Sequence, residues 1–371
     1  MKIQQTLISA KYGFFLLVLS VLVSCKQNTN ETSNEMNENL KSEENSGKKD
    51  KRIQLRRNDE DKRVDIFIEG EHFTSYIYPE NLEKPVLYPL RTAEGTPVTR
   101  GFPLESREGE RVDHPHHVGL WFNYGDVNGL DFWNNSSAIS EEKKEEYGSI
   151  IHKKIESISS GNEEGILVVN MEWVNHKGEA LLEEHTTFVF SGENKKRIID
   201  RTTTLTALDK DVSMKDNKEG MLGMRVAREL EHPTDKAEIF TDASGEPTEV
   251  ASMNNEGVTG RYRSSQGIKG DEVWGTRGKW MNLSGEINGE KISVAILDHP
   301  ENVGYPTYWH ARGYGLYAAN PLGQKAMSGG KEELNFELPA GASVRFKHRI
   351  IISSGETSDE QLNQDFKKFA D

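Results

Sequence analysis

Ile287-Asn288-Gly289-Glu290-Lys291 runs directly into Ile292-Ser293-Val294-Ala295-Ile296, and this stretch decides the fold class. Asn-Gly suits the two left-handed positions of a tight hairpin turn. The residues after it put Ile292, Val294 and Ile296 on one face, the period of two that marks a strand. The same alternation recurs outward along the chain in Val64-Ile66-Ile68 and Phe336-Leu338, while Gly165 to Trp173 and Thr186 to Phe190 are β-branched or aromatic. Pro339-Ala340-Gly341 is expected to turn residues 333–338 back onto residues 343–352. In all, about a dozen strands are expected. Helix signals are few: Ser140 to Tyr147 reads as a charged, exposed turn of helix. Ser358-Asp359-Glu360-Gln361 reads as a capping box, with Leu362, Phe366 and Phe369 on one face of a helix packed at a sandwich edge. Many strands with few crossovers imply an all-β protein, a large antiparallel β-sandwich over 62–355 closed by a short C-terminal helix over 356–371.

The beginning of the 371-residue chain reads differently. Lys2 and Lys11 precede the apolar run Phe14 to Val23, too short to span a bilayer as a stable helix, and small Ser24 follows. Leu22-Val23-Ser24-Cys25 matches a bacterial lipoprotein box, so residues 1–25 are expected to be a signal peptide whose Cys25, the only cysteine in the chain, carries the lipid. Residues 26–61 are rich in Asn, Glu, Ser and Lys and are expected to form a disordered tether. Such a tether would reach on the order of 30 Å. Lys26 stands where an inner-membrane retention signal would place Asp, which favours the outer membrane of the cell envelope, on its periplasmic or surface face. The net charge of −14 argues against a nucleic-acid partner, whose phosphates need neutralisation.

Polar chemistry concentrates in two segments, Asp113-His114-Pro115-His116-His117-Val118-Gly119-Leu120-Trp121, and Asp298-His299-Pro300 continuing to Tyr308-Trp309-His310-Ala311-Arg312-Gly313-Tyr314. They hold five of the eleven histidines, and imidazole serves as acid, base or ligand near neutral pH. If the first segment is extended, His114 and His116 project together and His117 points away. That pair could hold a divalent metal with ligands from elsewhere, although acid–base work needs no cofactor. An extended Trp309–Tyr314 would line up His310, Arg312 and Tyr314, which suits a polyhydroxylated or acidic substrate. Asn320 would add an amide to the rim, and Arg100 would be a second anion clamp. Glu184 shares a strand face with Phe188 and Phe190, so it is expected to look inward and serve as a proton donor. Asp113, Asp131 and Asp298 are expected to orient neighbouring imidazoles. Trp121 and Trp309 would stack on a sugar ring.

Arg100-Gly101-Phe102-Pro103, Asp113 to Trp121, Trp274-Gly275, Asp298-His299-Pro300, Trp309 to Leu316 and Asn320-Pro321-Leu322-Gly323 together resemble a family of secreted bacterial proteins that carry the label "methane oxygenase PmoA". The methane monooxygenase subunit of that name is a bundle of apolar membrane helices, and no such run follows residue 25, so oxygenase activity is not expected. The strand-rich ending is similar to that of galactose-mutarotase-like sandwiches, which implies epimerase, lyase or glycosidase chemistry on a carbohydrate. The leading expectation is a lipid-anchored carbohydrate-active enzyme with His114, His116, His310 and Glu184 as catalytic groups. Arg100, His117, Trp121, His299, Trp309, Arg312, Tyr314 and Asn320 would bind substrate. A glycan-binding lipoprotein without catalysis and a metal-dependent oxidoreductase or hydrolase are the alternatives.

Overall fold

The structure, a computed structural model, describes residues 51–251 and 254–371. The expected signal peptide, Cys25 and the tether up to residue 50 lie outside the described residues. Among these the chain is all-β, in twenty strands rather than a dozen. The first five are β1 (Ile53–Asn58), β2 (Arg63–Ile68), β3 (Glu71–Ile77), β4 (Val86–Leu87) and β5 (Leu120–Tyr124). Four long ones follow, β6 (Gly148–Ser159), β7 (Glu164–Asn175), β8 (Ala180–Glu193) and β9 (Lys196–Ala207). Next come β10 (Val212–Met214), β11 (Gly220–Arg225), β12 (Glu238–Thr241), β13 (Pro247–Val250), β14 (Arg261–Ser264), β15 (Trp280–Ile287) and β16 (Glu290–Asp298). The last are β17 (Tyr308–Ala311), β18 (Leu316–Asn320), β19 (Phe336–Leu338) and β20 (Ser343–Ser354).

Two eight-stranded antiparallel sheets form the sandwich. One runs β1-β2-β3-β4-β5-β11-β18-β17 and the other β14-β15-β16-β20-β9-β8-β7-β6. The core between them is built by alternation: Val64, Ile66, Ile68, Phe122 and Leu222 from the first sheet meet Leu167, Phe188, Ile199 and Ile350 from the second. The Asn288-Gly289 hairpin joins β15 to β16 as read, with both residues at positive φ (51° and 84°) and Ile287 opposite Glu290.

Three boundaries differ from expectation. The tether does not extend to residue 61, because Ile53 and Leu55 alternate with polar residues, are buried, and add β1 to the sheet edge beside β2. Pro339-Ala340-Gly341 does turn the chain, but β19 pairs with β10 in a small separate sheet, while β20 lies between β16 and β9. The turn therefore changes layers instead of closing a hairpin. The C-terminal helix, Asp359–Ala370, is capped by Ser358, whose hydroxyl accepts from the Gln361 N–H at 3.2 Å. It covers a sheet face, not an edge: Leu362 packs on Trp280, Ala295, Leu297 and Ile351, which have the opposite parity to the core residues of β16 and β20. The Ser140–Tyr147 region is a 3₁₀ turn, Glu141–Glu146, with no buried residue.

Candidate functional site

The outer face of the first sheet carries the candidate site. Trp121 on β5 is paired with Gly223 on β11, Gly223 with Ala318 on β18, and Ala318 with His310 on β17. One cross-strand row thus sets two small residues between an indole and an imidazole. Gly223 is required there, because a Cβ would collide with the rings of Trp121 and Trp133.

The histidine segment folds over this row as a turn. His114 has φ +46°, and the His117 N–H donates to the His114 carbonyl at 3.0 Å. The expected alternation therefore fails, and His117 does not point away. The three imidazoles cluster, with ring centroids 5.5 Å apart for His114–His116, 4.8 Å for His114–His117 and 4.3 Å for His116–His117. His114 is stacked between Tyr314, 5.3 Å away, and His117, which rests on Trp121 at 5.1 Å.

Buried arginines hold the turn. Arg100, 1% exposed, donates from Nη1 to the carbonyls of Arg111 and Asp113 and to Asp113 Oδ1, and from Nη2 to the carbonyls of His114 and His117. These bonds commit both terminal nitrogens to the loop, so Arg100 is a positioning residue and not the anion clamp expected of it. Arg225 on β11 donates to the same Asp113 Oδ1 at 2.7 Å and to His117 Nδ1 at 3.2 Å. The other Asp113 oxygen, Oδ2, lies 2.6 Å from His114 Nδ1. Burial alone would raise the Asp113 carboxyl, but the His114 hydrogen bond and the Arg225 and Arg100 charges hold it far below the usual carboxylate range.

A cleft of about 470 Å³ opens beside this arrangement, lined by His114, His116, His117, Trp133, Asn134, Asn217, Lys218, Glu219 and Tyr314. The three cleft-side histidines of the first segment are not equivalent. His114 is 41% exposed, whereas His116 and His117 are buried with their Nε2 atoms unpaired. Burial, then the charges of Lys84, Arg100 and Arg225, pushes the His116 imidazole down to about 2, and burial drives His117 well below its ordinary value. His310 stands behind the cleft with Nδ1 3.6 Å from Glu219 Oε2, and burial plus Lys218 and Arg312 pushes it down to about 3.

The second segment does not stay extended. The Gly315 N–H donates to the Arg312 carbonyl in the turn between β17 and β18, so the expected row of three is broken. Tyr314 reaches the cleft against His114. Arg312 instead lies over Trp274 at 4.9 Å and lines a neighbouring cleft with His232 and Asp271.

Other expected site residues are elsewhere or inaccessible. Trp121 is a buried floor under His117, and Trp309 fills the core with its Nε1 donating to the Gly278 carbonyl. Neither can stack on a sugar. Asn320 is buried and holds the carbonyls of Asn217 and Lys218, so it positions a cleft wall instead of forming a rim. His299 accepts from the Glu301 N–H and packs on Phe369 under the C-terminal helix. Asp298 accepts from Asn302 Nδ2 and the Thr307 N–H, and burial pushes it up to about 7. Asp131 accepts from the N–H groups of Trp133 and Asn134, and orients no imidazole. Glu184 does face inward, but into the core, where Arg201, Trp173 and Thr186 all donate to it at 2.6–2.8 Å. It has no access to a substrate and is no proton donor.

Three contributors escaped sequence reading. Arg225 ends an apolar strand, Glu219 ends a charged run that reads as a surface turn, and Lys84 precedes Pro85 in a loop. Lys84 is buried, donates to the His116 carbonyl at 2.8 Å, and is pushed down to about 7 by burial. Only a count of strand parity around Trp121 and His310 would have pointed to Arg225. Among the described residues no set of three or more His, Cys, Asp or Glu is arranged to hold a metal ion, and the Arg100 and Arg225 charges oppose a cation at His114 and His116.

No curated protein matches the sequence. In structure the chain is similar to an α-galactosidase from Lactobacillus brevis, with 10% identity, 85% of this chain and 41% of that chain covered, and a TM-score of 0.40. It is also similar to a putative aldose 1-epimerase from Escherichia coli K12, with 8% identity, 82% and 99% covered, and a TM-score of 0.32. A GalM/aldose epimerase homologue from C. elegans gives 9% identity, 82% and 99% covered, and a TM-score of 0.30. The chain spans about two fifths of the length of the α-galactosidase, and at these identities the likeness concerns the fold alone. A family model matches residues 63–367, so the chain belongs to DUF6807, a family of unknown function.

Proposed function

We propose that this protein is a carbohydrate-active enzyme that moves a proton on a sugar, with His114 as the transferring group. One observation carries the reading: Asp113 Oδ2 engages His114 Nδ1 at 2.6 Å, which fixes the ring of a histidine that lines the cleft and is exposed there. Asp113 stays ionised under two guanidiniums, so it can stabilise an imidazolium as His114 takes up a proton. Glu219 on another wall of the cleft supplies a second carboxylate within reach of the same bound molecule. A cleft of about 470 Å³ edged by Asn134, Asn217 and the Tyr314 phenol suits a small polyhydroxylated ligand.

The chemistry fits epimerisation or β-elimination better than hydrolysis. A glycosidase needs two carboxyl groups free to act on opposite sides of the bond. Here Asp113 is committed to Arg100, Arg225 and His114, which leaves Glu219 as the cleft carboxylate. The test is to incubate the full chain with sugars and oligosaccharides in deuterated water and follow C–H exchange and product by NMR. Exchange or elimination that disappears in His114→Ala is expected; reducing ends released without C–H exchange, equally by both proteins, would overturn the reading.

The same proposal places the enzyme in the cell envelope, held by a lipid on Cys25. A Cys25→Ser variant is expected to leave the membrane fraction, and its full retention there would exclude the anchor.

A further inference from the structure

The Arg312 N–H donates to the Leu316 carbonyl at 2.8 Å, which carries the β17–β18 pairing one step past Ala311, and Leu316 is paired with Arg225 on β11. Arg225, Leu316 and Arg312 therefore form the cross-strand row beside that of Gly223, Ala318 and His310, on the same face of the sheet. The two guanidiniums of this row differ. Arg225 is bound to Asp113, whereas Arg312 forms no side-chain hydrogen bond or ion pair among the described residues. Arg312 is half-buried, with only its Nε sealed off, and it lines a cleft of about 410 Å³ together with Arg111, His232, Lys236, Glu238, Asp271 and Tyr314.

The carboxylates of that wall are engaged. Glu238 is paired with Arg111 at 2.9 Å, Asp271 with His232 Nδ1 at 2.8 Å, and Glu231 behind them accepts from Arg111 and Arg228. Charge on the wall nearly balances, with Arg111, Lys236 and Arg312 against Glu238 and Asp271. What sets Arg312 apart is a planar fork of donors with nothing bound to it. The Trp274 ring, 4.9 Å away, covers one face of the guanidinium and leaves its edge for a ligand, the geometry that suits a carboxylate or sulfate.

Tyr314 lines this cleft and the His114 cleft alike, and its ring stacks on His114 at 5.3 Å. A molecule seated at His114 and longer than one sugar would pass Tyr314 to reach Arg312. Each cleft is large enough for a sugar unit. We infer that the Arg312 cleft is a second subsite, and that the substrate is at least a disaccharide whose unit beyond Tyr314 carries a carboxylate or sulfate held by Arg312. This rests on the proposed function for the sugar at His114, but the guanidinium site does not depend on the reaction there.

The test measures, by calorimetry on the full chain, the binding of digalacturonate against galactobiose and of sulfated lactose against lactose. In at least one pair the acidic disaccharide is expected to bind on the order of tenfold tighter, since hydrogen bonds to a charged group are the strong ones; which pair shows it tells carboxylate from sulfate. Arg312→Met keeps the apolar stem and removes the fork, and is expected to abolish the preference while leaving the neutral disaccharide's affinity unchanged. Equal binding within both pairs, no binding of any of the four, or a folded Arg312→Met protein with its preference intact would each overturn the inference. If that variant does not fold, the paired comparison on the unaltered protein decides alone. His114→Ala separates the two proposals: it is expected to keep the acidic preference and lose turnover. Unchanged turnover with the preference retained would remove the role of His114 and leave the subsite standing, and lost turnover without any acidic preference in the unaltered protein would do the reverse.

Discussion

Arg225 Nη2 donates to Asp113 Oδ1 at 2.7 Å, tying the histidine turn to the middle of the first sheet across 112 positions of sequence. Arg225 is fully buried and Asp113 largely so, and Arg100 shares the same oxygen. Removing the carboxylate leaves two guanidiniums without their shared anion. Asp113→Asn is therefore expected to lower stability by about 3–5 kcal/mol, the cost of an orphaned buried charge. Thermal unfolding checks it, and a shift no larger than that of an exposed Asp→Asn change would show that the turn is held by something else.

Glu184 gives the opposite expectation. Its carboxylate is spent on Arg201, Trp173 and Thr186 between the sheets, away from the cleft. Glu184→Leu is expected to cost about 3–5 kcal/mol of stability by stranding Arg201. Turnover per folded molecule should not change. A specific loss of activity in protein that remains folded would restore the proton-donor role.

Acid sensitivity follows from the buried imidazoles. Burial, with Arg201 and His299 nearby, pushes His348 down to about 3, and neither of its ring nitrogens has a partner. Below about 6.5 the unfolded chain binds a proton at this position that the folded chain refuses. The contribution of His348 is therefore fully present above about 6.5 and is lost as pH drops toward 3, with His310 adding to the same slope and Asp298, 3.8 Å from His348 and pushed up to about 7, acting against it. Denaturant titrations at pH 7, 6, 5 and 4 should show this fall, and His348→Phe should flatten it. An equal slope in the variant would assign the sensitivity to other groups.

Period-two patterns in the sequence were enough for the sandwich, because the alternation in β2, β7 and β8 reflects burial on one face only. The same rule misled where the backbone leaves extended geometry. His114 at positive φ turns the chain within its motif, and the Arg312–Gly315 turn does the same for the second. Neither turn shows in a pattern of side-chain types, since Asp-His-Pro and Arg-Gly-Tyr-Gly suit extended and turning backbone alike. Ile53 and Leu55 were hidden by their setting in a long polar stretch. The meeting of His114 with Tyr314 was within reach, as both motifs stood out by composition. Arg225 and Glu219 were not, because their neighbours are typical of a buried strand and a solvated turn.

The proton-transfer role of His114 is tested most directly by the turnover of His114→Ala against the unaltered protein, on whichever sugar shows C–H exchange, with folding checked by near-UV circular dichroism. General acid–base catalysis by a positioned imidazole contributes roughly 10²–10⁴-fold, so a loss of that size in a folded variant is expected. Turnover within about twofold of the unaltered protein would contradict it, because no contribution on the scale of acid–base catalysis would then remain for this imidazole.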